Sequence, residues 1–390
     1  MRPTERFVVD VPDADVEDLR DRLRRTRWGD DPGNEDWAYG TPRSYLEPLV
    51  RYWAEEYDWR RHEDAINAHP HARATLDGVR VHYLHRRGVG PAPMPLLLTH
   101  GWPWTFWDFA KMIDPLTNPA AHGGDPADAF EVVVPSLPGF GFSSPLTRTG
   151  VGAGATAGLW RSLMRDVLGH RRFGAMGGDF GAVVTQRMAQ EDDGALVGVH
   201  LTRYRRPAGT AGVAASVAGP DDYGPDEAGD HARDQAGATL VASHLAVHSH
   251  DPQTLAHALH DSPVGLASWL LERRRAWSDG ELDDVYTRDE LLTTISLYWF
   301  TRTIGSSMRY YRDTALEGPA PAGRIDVPVA IGVLPRDVSA LPRRHAEEDT
   351  DLRRWTRFPR GGHFGPAEVP ELLVEDLREF FRPLRAAAEQ

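Results

Sequence analysis

The feature that most constrains the fold of this chain is a tight glycine-rich turn between a short apolar segment and a helical pattern. The stretch "FGAMGGDFGAVVTQRMAQ" runs from Phe173 through Gly177-Gly178-Asp179-Phe180-Gly181 to Gln190. Small residues flank the central side chain in such a turn because the backbone bends too sharply for larger ones. The spacing is that of a strand–nucleophile–helix elbow, with Asp179 at the position where a serine often stands.

An aspartate at this position changes the chemistry that the elbow can perform. A carboxylate is already ionised at neutral pH and needs no base to become a nucleophile. Its attack on an acyl carbon would give an anhydride from which it readily leaves, so Asp179 suits displacement at a saturated carbon. An epoxide or an alkyl halide would give an ester that a second step must hydrolyse. The simpler alternative is that Asp179 only caps the helix that begins at Phe180.

Partners for a nucleophile at Asp179 are expected later in the chain, in the order nucleophile, acid, histidine. His363 follows two glycines in "RGGHFGPAEVPELL" and precedes a final amphipathic helix, which predicts a water-activating base. Asp337 in "VAIGVLPRDVSALP" ends the preceding strand and is the candidate acid. Asp326 comes before that strand, and the other acidic residues nearby lie in a charged run at 347–351.

The alternation of short apolar strands with helical patterns predicts an α/β protein with a mostly parallel sheet covered on both faces. Within the 390 residues, the pattern divides the chain into three parts. Residues 1–88 form an N-terminal arm that packs on the core, residues 89–204 and 321–390 form the core, and residues 205–320 form a helical lid.

The charge and composition of the chain exclude several functions. A formal net charge of −13 disfavours a surface for nucleic acid or an anionic membrane. The absence of cysteine removes thiolate catalysis and cysteine-bound metals. No run of about 18 uncharged apolar residues and no signal-peptide pattern is present. We therefore expect a cytoplasmic protein with a small-molecule partner, with a homodimer as one option for its assembly.

Taken together, the motifs resemble those of the microsomal-like branch of the epoxide hydrolases, which have the α/β-hydrolase fold. The resemblance covers nearly the whole chain and rests on "YDWRRHEDAIN", "HGWP", "GGDFG", "DSPVGLASW", "SSMRYY" and "GGHFGPAEVPELL", in this order. It implies catalysis without a cofactor or a metal. It also implies that Asp179 is the nucleophile, that His363 is the base for the hydrolytic water and that Asp337 orients His363. Family members often carry glutamate at the position of Asp337.

The resemblance further implies an oxyanion hole formed by the backbone N–H groups of Trp102 and Phe180, which would stabilise charge on the ester oxygen. His100, in the same "HGWP" motif, is expected to hold the loop rather than to transfer protons.

Epoxide opening leaves an alkoxide, and the family supplies tyrosine hydroxyls from the lid as hydrogen-bond donors. In "SSMRYY", Tyr311 matches the family donor and Tyr310 is the second candidate. The other family tyrosine belongs to a Gly-Tyr pair, and here that pair is Ser243-His244. His244 is either a replacement donor, acting as an imidazolium, or an unrelated lid residue.

The sequence therefore predicts an enzyme that opens a bulky or aromatic biosynthetic epoxide through an ester on Asp179 to give a vicinal diol. Three tryptophans in one loop, Trp102, Trp104 and Trp107, suggest the aromatic substrate. The alternatives are a haloalkane dehalogenase, an enzyme that cyclises an epoxide without hydrolysis, and a binding protein without catalysis.

Overall fold

The computed structural model describes residues 3–204, 206, 218–318, 320–321 and 323–388. In this part of the chain, nine strands form one sheet in the order β1-β2-β3-β5-β4-β6-β7-β8-β9. The strands are β1 (Thr4–Phe7), β2 (His71–Leu76), β3 (Val79–Arg86), β4 (Met94–Thr99), β5 (Phe130–Pro135), β6 (Phe173–Gly177), β7 (Leu196–Leu201), β8 (Ile325–Val333) and β9 (Thr350–Arg357).

The sheet changes character between its two halves. Pairing is antiparallel from β1 to β5 and parallel from β5 through β4 to β9. The central strands are almost wholly apolar, and Leu96, Leu97 and Leu98 of β4 are completely buried, as expected for strands covered on both faces. The predicted α/β-hydrolase fold is confirmed.

Helices cover both faces of the sheet and also build the lid. They are α1 (Asp13–Arg24), α2 (Arg43–Glu55), α3 (Trp59–Asn67), α4 (Ala110–Thr117), α5 (Ala153–Ser162), α6 (Phe180–Gln190), α7 (Asp230–His250), α8 (Pro252–Asp261), α9 (Pro263–Trp277), α10 (Leu282–Val285), α11 (Arg288–Thr301), α12 (Ile304–Leu316), α13 (Arg343–Asp349), α14 (Gly365–Glu368), α15 (Pro370–Phe381) and α16 (Arg385–Ala388). Short 3-10 segments lie at Phe106–Phe109, Pro119–His122, Pro126–Asp128, Pro220–Asp222, Pro225–Glu227 and Arg382–Leu384, and a π-helical turn at Leu163–Val167.

The N-terminal segment contributes to two layers of the molecule. Its strands β1, β2 and β3 extend the sheet, whereas α2 packs against lid helix α11. Trp53 of α2 donates its indole N–H to the Ser296 hydroxyl at 3.1 Å, and the Tyr57 hydroxyl lies 3.0 Å from that of Thr293. The aromatic residues of the arm therefore support the lid from outside, while the strands of the same segment join the core.

The topology fixes where a site can form. The parallel strands β4, β6, β7, β8 and β9 all end at the same edge of the sheet, where ligands bind in open α/β folds. Helices α7 to α12 lie between β7 and β8 in the chain. Among the described helices, none has an apolar stretch long enough to cross a membrane.

Candidate active site

The turn after β6 is as tight as its glycines suggest. A Cβ atom at Gly177 would overlap the backbone oxygen of Gly181, and one at Gly181 would overlap that of Thr99. Asp179 itself has a φ of +50°, a conformation that costs a non-glycine residue free energy and clusters at functional sites. The backbone is strained where it presents Asp179.

Asp179 stands at the N-cap position of α6, but its side chain makes no capping hydrogen bond. Its Oδ1 instead accepts a hydrogen bond from the backbone N–H of Trp102 at 2.9 Å. Trp102 follows β4, so two neighbouring strand ends meet at this carboxylate. The observed contact removes the capping explanation for the presence of Asp179.

His363 and Asp337 lie beside Asp179, on loops that follow β9 and β8. His363 Nδ1 is 2.7 Å from Asp337 Oδ1, and its Nε2 is 3.5 Å from Asp179 Oδ2. The His363 side chain is 1% exposed, and its Nε2 has no hydrogen-bond partner among the described residues. The structure therefore brings the three predicted residues together in the order acid, histidine, nucleophile, with one imidazole nitrogen free to exchange a proton.

The charges of this group depend on one another. Burial disfavours the imidazolium of His363, but the carboxylates of Asp337 and Asp179 outweigh it and raise the pKa of His363 to about 9. Burial likewise opposes the charge of Asp179, but His363, Arg203 and the Trp102 N–H together lower its pKa. In the free protein the stable state is thus a carboxylate beside an imidazolium.

The loop that carries Trp102 is held by His100, as expected. The backbone N–H of Leu137 donates to His100 Nε2 at 3.0 Å, and His100 Nδ1 lies 2.9 Å from the oxygen of Gly101. Burial lowers the pKa of His100 to about 4. Phe180 begins α6, where the first backbone N–H groups have no partner within the helix. The oxyanion role of its N–H stays a prediction.

A cavity opens in front of Asp179, between the core and the helices that follow β7. Its apolar lining comes from both the core and the lid: Phe180, Val183, Val241, Leu245, Trp277 and Val338. The polar side chains that face it are Asp179, Arg203, His244, Tyr311 and His363. The lining combines an ionised nucleophile, a base, two candidate donors and one arginine.

The three tryptophans that suggested an aromatic substrate do not line this cavity, among the residues that the structure describes. Trp102 and Trp104 are fully buried in the core, and Trp107 borders a different cavity. Sequence reasoning missed the tryptophan that does line it, Trp277 at the end of α9. The expectation that Trp102, Trp104 and Trp107 face the substrate is therefore wrong. Which side chains are buried depends on tertiary packing, and the spacing of tryptophans in one loop does not encode it.

The two adjacent tyrosines of α12 point in different directions. Tyr311 lines the cavity, and its ring centre lies 4.5 Å from that of Phe180. Burial and the Asp179 carboxylate raise the pKa of Tyr311 well above its ordinary value, so the phenol keeps its proton. Tyr310 is not among the described lining residues, and its hydroxyl lies 2.8 Å from that of Thr156. The prediction that Tyr310 could donate a hydrogen bond into the cavity is therefore wrong. Consecutive residues of a helix do not share a face.

His244, on α7, lies where the second lid donor was expected. Its ring stacks on Trp102 at 5.2 Å with an interplanar angle of 15°, and it packs edge-on to Tyr311. Its Nδ1 has no hydrogen-bond partner in the described structure. Burial, reinforced by the charge of Arg273, lowers the pKa of His244 to about 3. Of the two alternatives for His244, the imidazolium donor is disfavoured by this low pKa, and the ring is neutral near pH 7.

Arg203 is the functional residue that the sequence analysis missed most completely. It follows β7, and its Nη1 lies 3.6 Å from Asp179 Oδ2 with only 13% of its side chain exposed. The signal was available in principle, since a polar residue just past a buried parallel strand falls at the edge where sites form.

One cluster of ligand-type residues lies away from this site. In the described part of the chain, His85, Glu131 and His170 bring nitrogen and oxygen atoms within 4.8 Å of one another. His85 ends β3 and Glu131 begins β5, so the cluster lies at the opposite edge of the sheet. Glu131 already lies 2.6 Å from His85 Nε2 and 3.3 Å from His170 Nε2, so the carboxylate pairs with both histidines.

Comparisons with known proteins agree with this geometry. Residues 4–109 match the family described as Epoxide hydrolase N terminus, and residues 94–202 match the alpha/beta hydrolase fold. The chain is 40% identical over 383 residues to the Stigmatella aurantiaca protein named "Putative epoxide hydrolase", covering 97% of this chain and 85% of that protein. It is 32% identical to Epoxide hydrolase 1 of Oryctolagus cuniculus over 407 residues, or 96% of this chain and 88% of that protein.

The solved structure of Aspergillus niger epoxide hydrolase superposes with a TM-score of 0.84 at 26% identity, covering 98% of this chain and 97% of that chain. The curated relatives are matched over most of their own lengths, so the likeness extends over nearly the whole chain. This chain belongs to the epoxide hydrolases of the α/β-hydrolase fold, in the branch that shares its N-terminal segment with the microsomal-type Epoxide hydrolase 1.

Proposed function

We propose that this chain hydrolyses an epoxide to a vicinal diol through a covalent ester on Asp179, without a cofactor or a metal. The observation that carries the proposal is the setting of the Asp179 carboxylate. One oxygen is held by the Trp102 N–H at 2.9 Å, and the other faces the cavity 3.5 Å from His363 Nε2. A carboxylate held in this way can attack a saturated carbon with one oxygen while the other stays fixed.

In the first step, Asp179 Oδ2 attacks an epoxide carbon and the ring C–O bond breaks, which leaves an alkoxide. Tyr311 faces the cavity with its phenol protonated, so it can donate a hydrogen bond to that oxygen as charge develops. The alkoxide becomes a hydroxyl by taking a proton from water, and the His363 imidazolium neutralises the hydroxide that this leaves.

Forming the ester removes the negative charge of Asp179, and this loss prepares the second step. The Asp179 carboxylate is one of the groups that keep the pKa of His363 high. Once it is esterified, His363 releases a proton more readily and becomes a neutral base for water. Asp337 continues to orient the imidazole at 2.7 Å.

His363 takes a proton from water as the water oxygen attacks the ester carbonyl, and the N–H groups of Trp102 and, by our proposal, Phe180 stabilise the oxyanion. The bond between the carbonyl carbon and the alkyl oxygen then breaks, and the new carboxyl group gives its proton to that oxygen. The diol leaves, the Asp179 carboxylate is restored and His363 is again an imidazolium.

The lining of the cavity supports a bulky or aromatic substrate. Trp277, Phe180 and Tyr311 provide ring surfaces, and three valines and a leucine complete the apolar wall. We retain the proposed division into an arm at 1–88, a core at 89–204 and 321–390, and a lid at 205–320. In this division the core supplies the nucleophile and base, whereas the lid supplies Tyr311 and Trp277.

A single turnover in water labelled with heavy oxygen tests the ester. Excess enzyme is mixed with styrene oxide, and the diol and the protein are analysed separately by mass spectrometry. Through an ester, the first diol carries unlabelled oxygen from Asp179, and the label enters the peptide that contains residue 179. A labelled diol with an unlabelled protein would mean direct attack by water, with Asp179 as a base only.

A further inference from the structure

The guanidinium of Arg203 is an unusual group to place against a nucleophile that attacks a neutral epoxide. Its Nη1 lies 3.6 Å from Asp179 Oδ2, the oxygen that does not accept the hydrogen bond of the Trp102 N–H. A cation at this distance stabilises the free carboxylate and so opposes its attack on a neutral ring. Its presence requires a reason beyond hydrolysis of an uncharged substrate.

Among the residues that the structure describes, few groups pair with Arg203. Asp179 is the carboxylate that lines the cavity beside it, and Arg203 Nε makes no hydrogen bond to any described residue. Asp337 is bonded to His363 instead. When Asp179 becomes an ester it loses its charge, and Arg203 then keeps a largely buried positive charge without its anion. A buried cation without a partner is costly.

A nearby arginine, Arg273 of α9, directs its guanidinium toward groups of the protein. Arg273 forms an ion pair with Glu272, donates to the Ser243 hydroxyl at 2.9 Å and stacks over the Trp269 ring at 3.8 Å. Each of these contacts is made to the protein. Arg203, by contrast, points its charge at the reacting group and at the space where the substrate binds.

We propose that Arg203 binds a carboxylate of the substrate, so that the epoxides hydrolysed by this enzyme are epoxy acids. The inference rests on the proposed function, and it names the substrate class of the same site. A carboxylate matches the planar fork of a guanidinium. By drawing the Arg203 charge toward itself, it frees Asp179 Oδ2 to attack, and it remains as the anion once the ester has formed.

The geometry also limits the distance between the carboxylate and the ring. The reacting carbon must come to roughly 3–3.5 Å from the attacking oxygen, and Arg203 Nη1 is itself 3.6 Å from that oxygen. The carboxylate and the epoxide must therefore be close neighbours in the substrate, directly attached or separated by a short spacer. Phenylglycidate, a carboxylate on a phenyl-bearing epoxide, meets this requirement and fits the aromatic lining.

The first test compares phenylglycidate with its carboxamide, which has nearly the same shape without the charge. We expect kcat/KM for the acid to exceed that for the amide by about tenfold. Arg203→Met should bring this ratio close to one, and Arg203→Lys should restore part of it. Arg273→Met, which removes a buried charge that is not among the described residues lining the cavity, is the control and should leave the ratio unchanged.

The second test measures binding without turnover, by calorimetry with 3-phenylpropionate, which has the phenyl ring and the carboxylate but no epoxide to react. Asp179→Asn removes the anion that occupies Arg203, so this variant should bind the acid about tenfold more tightly than the unsubstituted protein does. The carboxamide of 3-phenylpropionate should show no such gain, and adding Arg203→Met should abolish the gain for the acid. A gain that persists without Arg203, or no gain at all, overturns the inference.

The two tests separate this inference from the proposed function. Turnover of the amide and of styrene oxide with no preference for the acid would overturn the carboxylate site and leave hydrolysis intact. Binding of the acid through Arg203, with no epoxide forming an adduct on Asp179, would overturn hydrolysis and leave the carboxylate site intact.

Discussion

The floor and the roof of the cavity are built in different ways. The floor consists of loops that follow parallel strands of the sheet. It carries His363, whose Nε2 lies 3.5 Å from Asp179 Oδ2 and whose Nδ1 lies 2.7 Å from Asp337 Oδ1. The roof consists of lid helices, and it carries His244 and Tyr311 among packed aromatic rings. Backbone sterics fix the floor, whereas side-chain packing alone decides what the roof presents.

This difference explains how the roof can carry His244 where a tyrosine was expected. In the floor, a Cβ at Gly177 or Gly181 would overlap neighbouring backbone atoms, so substitution there would disrupt the elbow. In the roof, an imidazole replaces the expected phenol at position 244 and stacks on Trp102 at 5.2 Å. A helix face can exchange one ring for another of similar size without moving the backbone. We therefore expect substitutions in the floor to have large effects on reaction rates and substitutions in the roof to have smaller ones.

The largest effect is expected from Asp179→Asn. An amide is a poor nucleophile, so no ester should form and turnover should fall at least about 10³-fold. Intact-protein mass spectrometry after mixing with styrene oxide checks for the adduct, and circular dichroism serves as the control for folding. An adduct that still maps to residue 179 would contradict the assignment of the nucleophile.

His363→Gln should damage the second step and spare the first. The ester should form and then accumulate, because water lacks its base, and kcat should fall about 10²- to 10⁴-fold. Rapid-quench kinetics should show a burst of alkylated protein close to one equivalent, followed by a very slow steady state. A steady-state rate equal to that of the unsubstituted enzyme would show that another group activates the water.

The floor could be anticipated from the sequence, and the reasons are physical. The glycines around Asp179 report a backbone requirement that is local and readable from one segment. His363 and Asp337 were found from chain order, because successive strands of a parallel sheet deliver their ends to one edge. The structure brings these side chains together, and the fold expected from the alternation of strands and helices is confirmed.

The missed features depend on contacts between distant segments. Trp277 lines the cavity while Trp102 and Trp104 are buried in the core, and no local pattern distinguishes these environments. The charge state of His244 follows from its burial, which only the folded lid determines. Arg203 was passed over because an isolated arginine after a strand carries no motif, although its position at the sheet edge is informative.

The roof prediction with the clearest internal control compares two adjacent tyrosines. Tyr311→Phe should slow the alkylation rate of the first step by roughly 10²-fold, because it removes a donor that faces the cavity. Tyr310→Phe should change that rate by less than about threefold, since the Tyr310 hydroxyl faces Thr156 at 2.8 Å. Stopped-flow fluorescence of the first step separates the two. Equal losses in both variants would mean that the change acts through packing and not through donation.

The smallest effect is expected from the protonation of His244 in the lid. Its pKa is lowered from 6.5 to about 3, so the folded protein keeps this ring neutral throughout the range from pH 5 to 8. Because the pKa of His244 is lower in the folded protein than in the unfolded chain, protonation of this residue favours unfolding. His244 therefore lowers the free energy of unfolding progressively as the pH falls from about 6.5 toward 3. It cannot supply an imidazolium donor near neutral pH.

The alkylation rate should therefore be flat between pH 5 and 8 when it is measured in the His363→Ala background, where the histidine that titrates beside Asp179 is absent. Arg203 and the Trp102 N–H still act on the Asp179 carboxylate in this variant and favour its ionised form. Adding His244→Tyr supplies a phenol that stays protonated across this range, and should raise the rate modestly, by about tenfold or less, with the same flat profile. The contrary result would be an alkylation rate that rises as the pH falls and becomes independent of pH when His244 is replaced. It would show that the lid holds a protonated histidine, so that the roof, like the floor, carries a charged side chain.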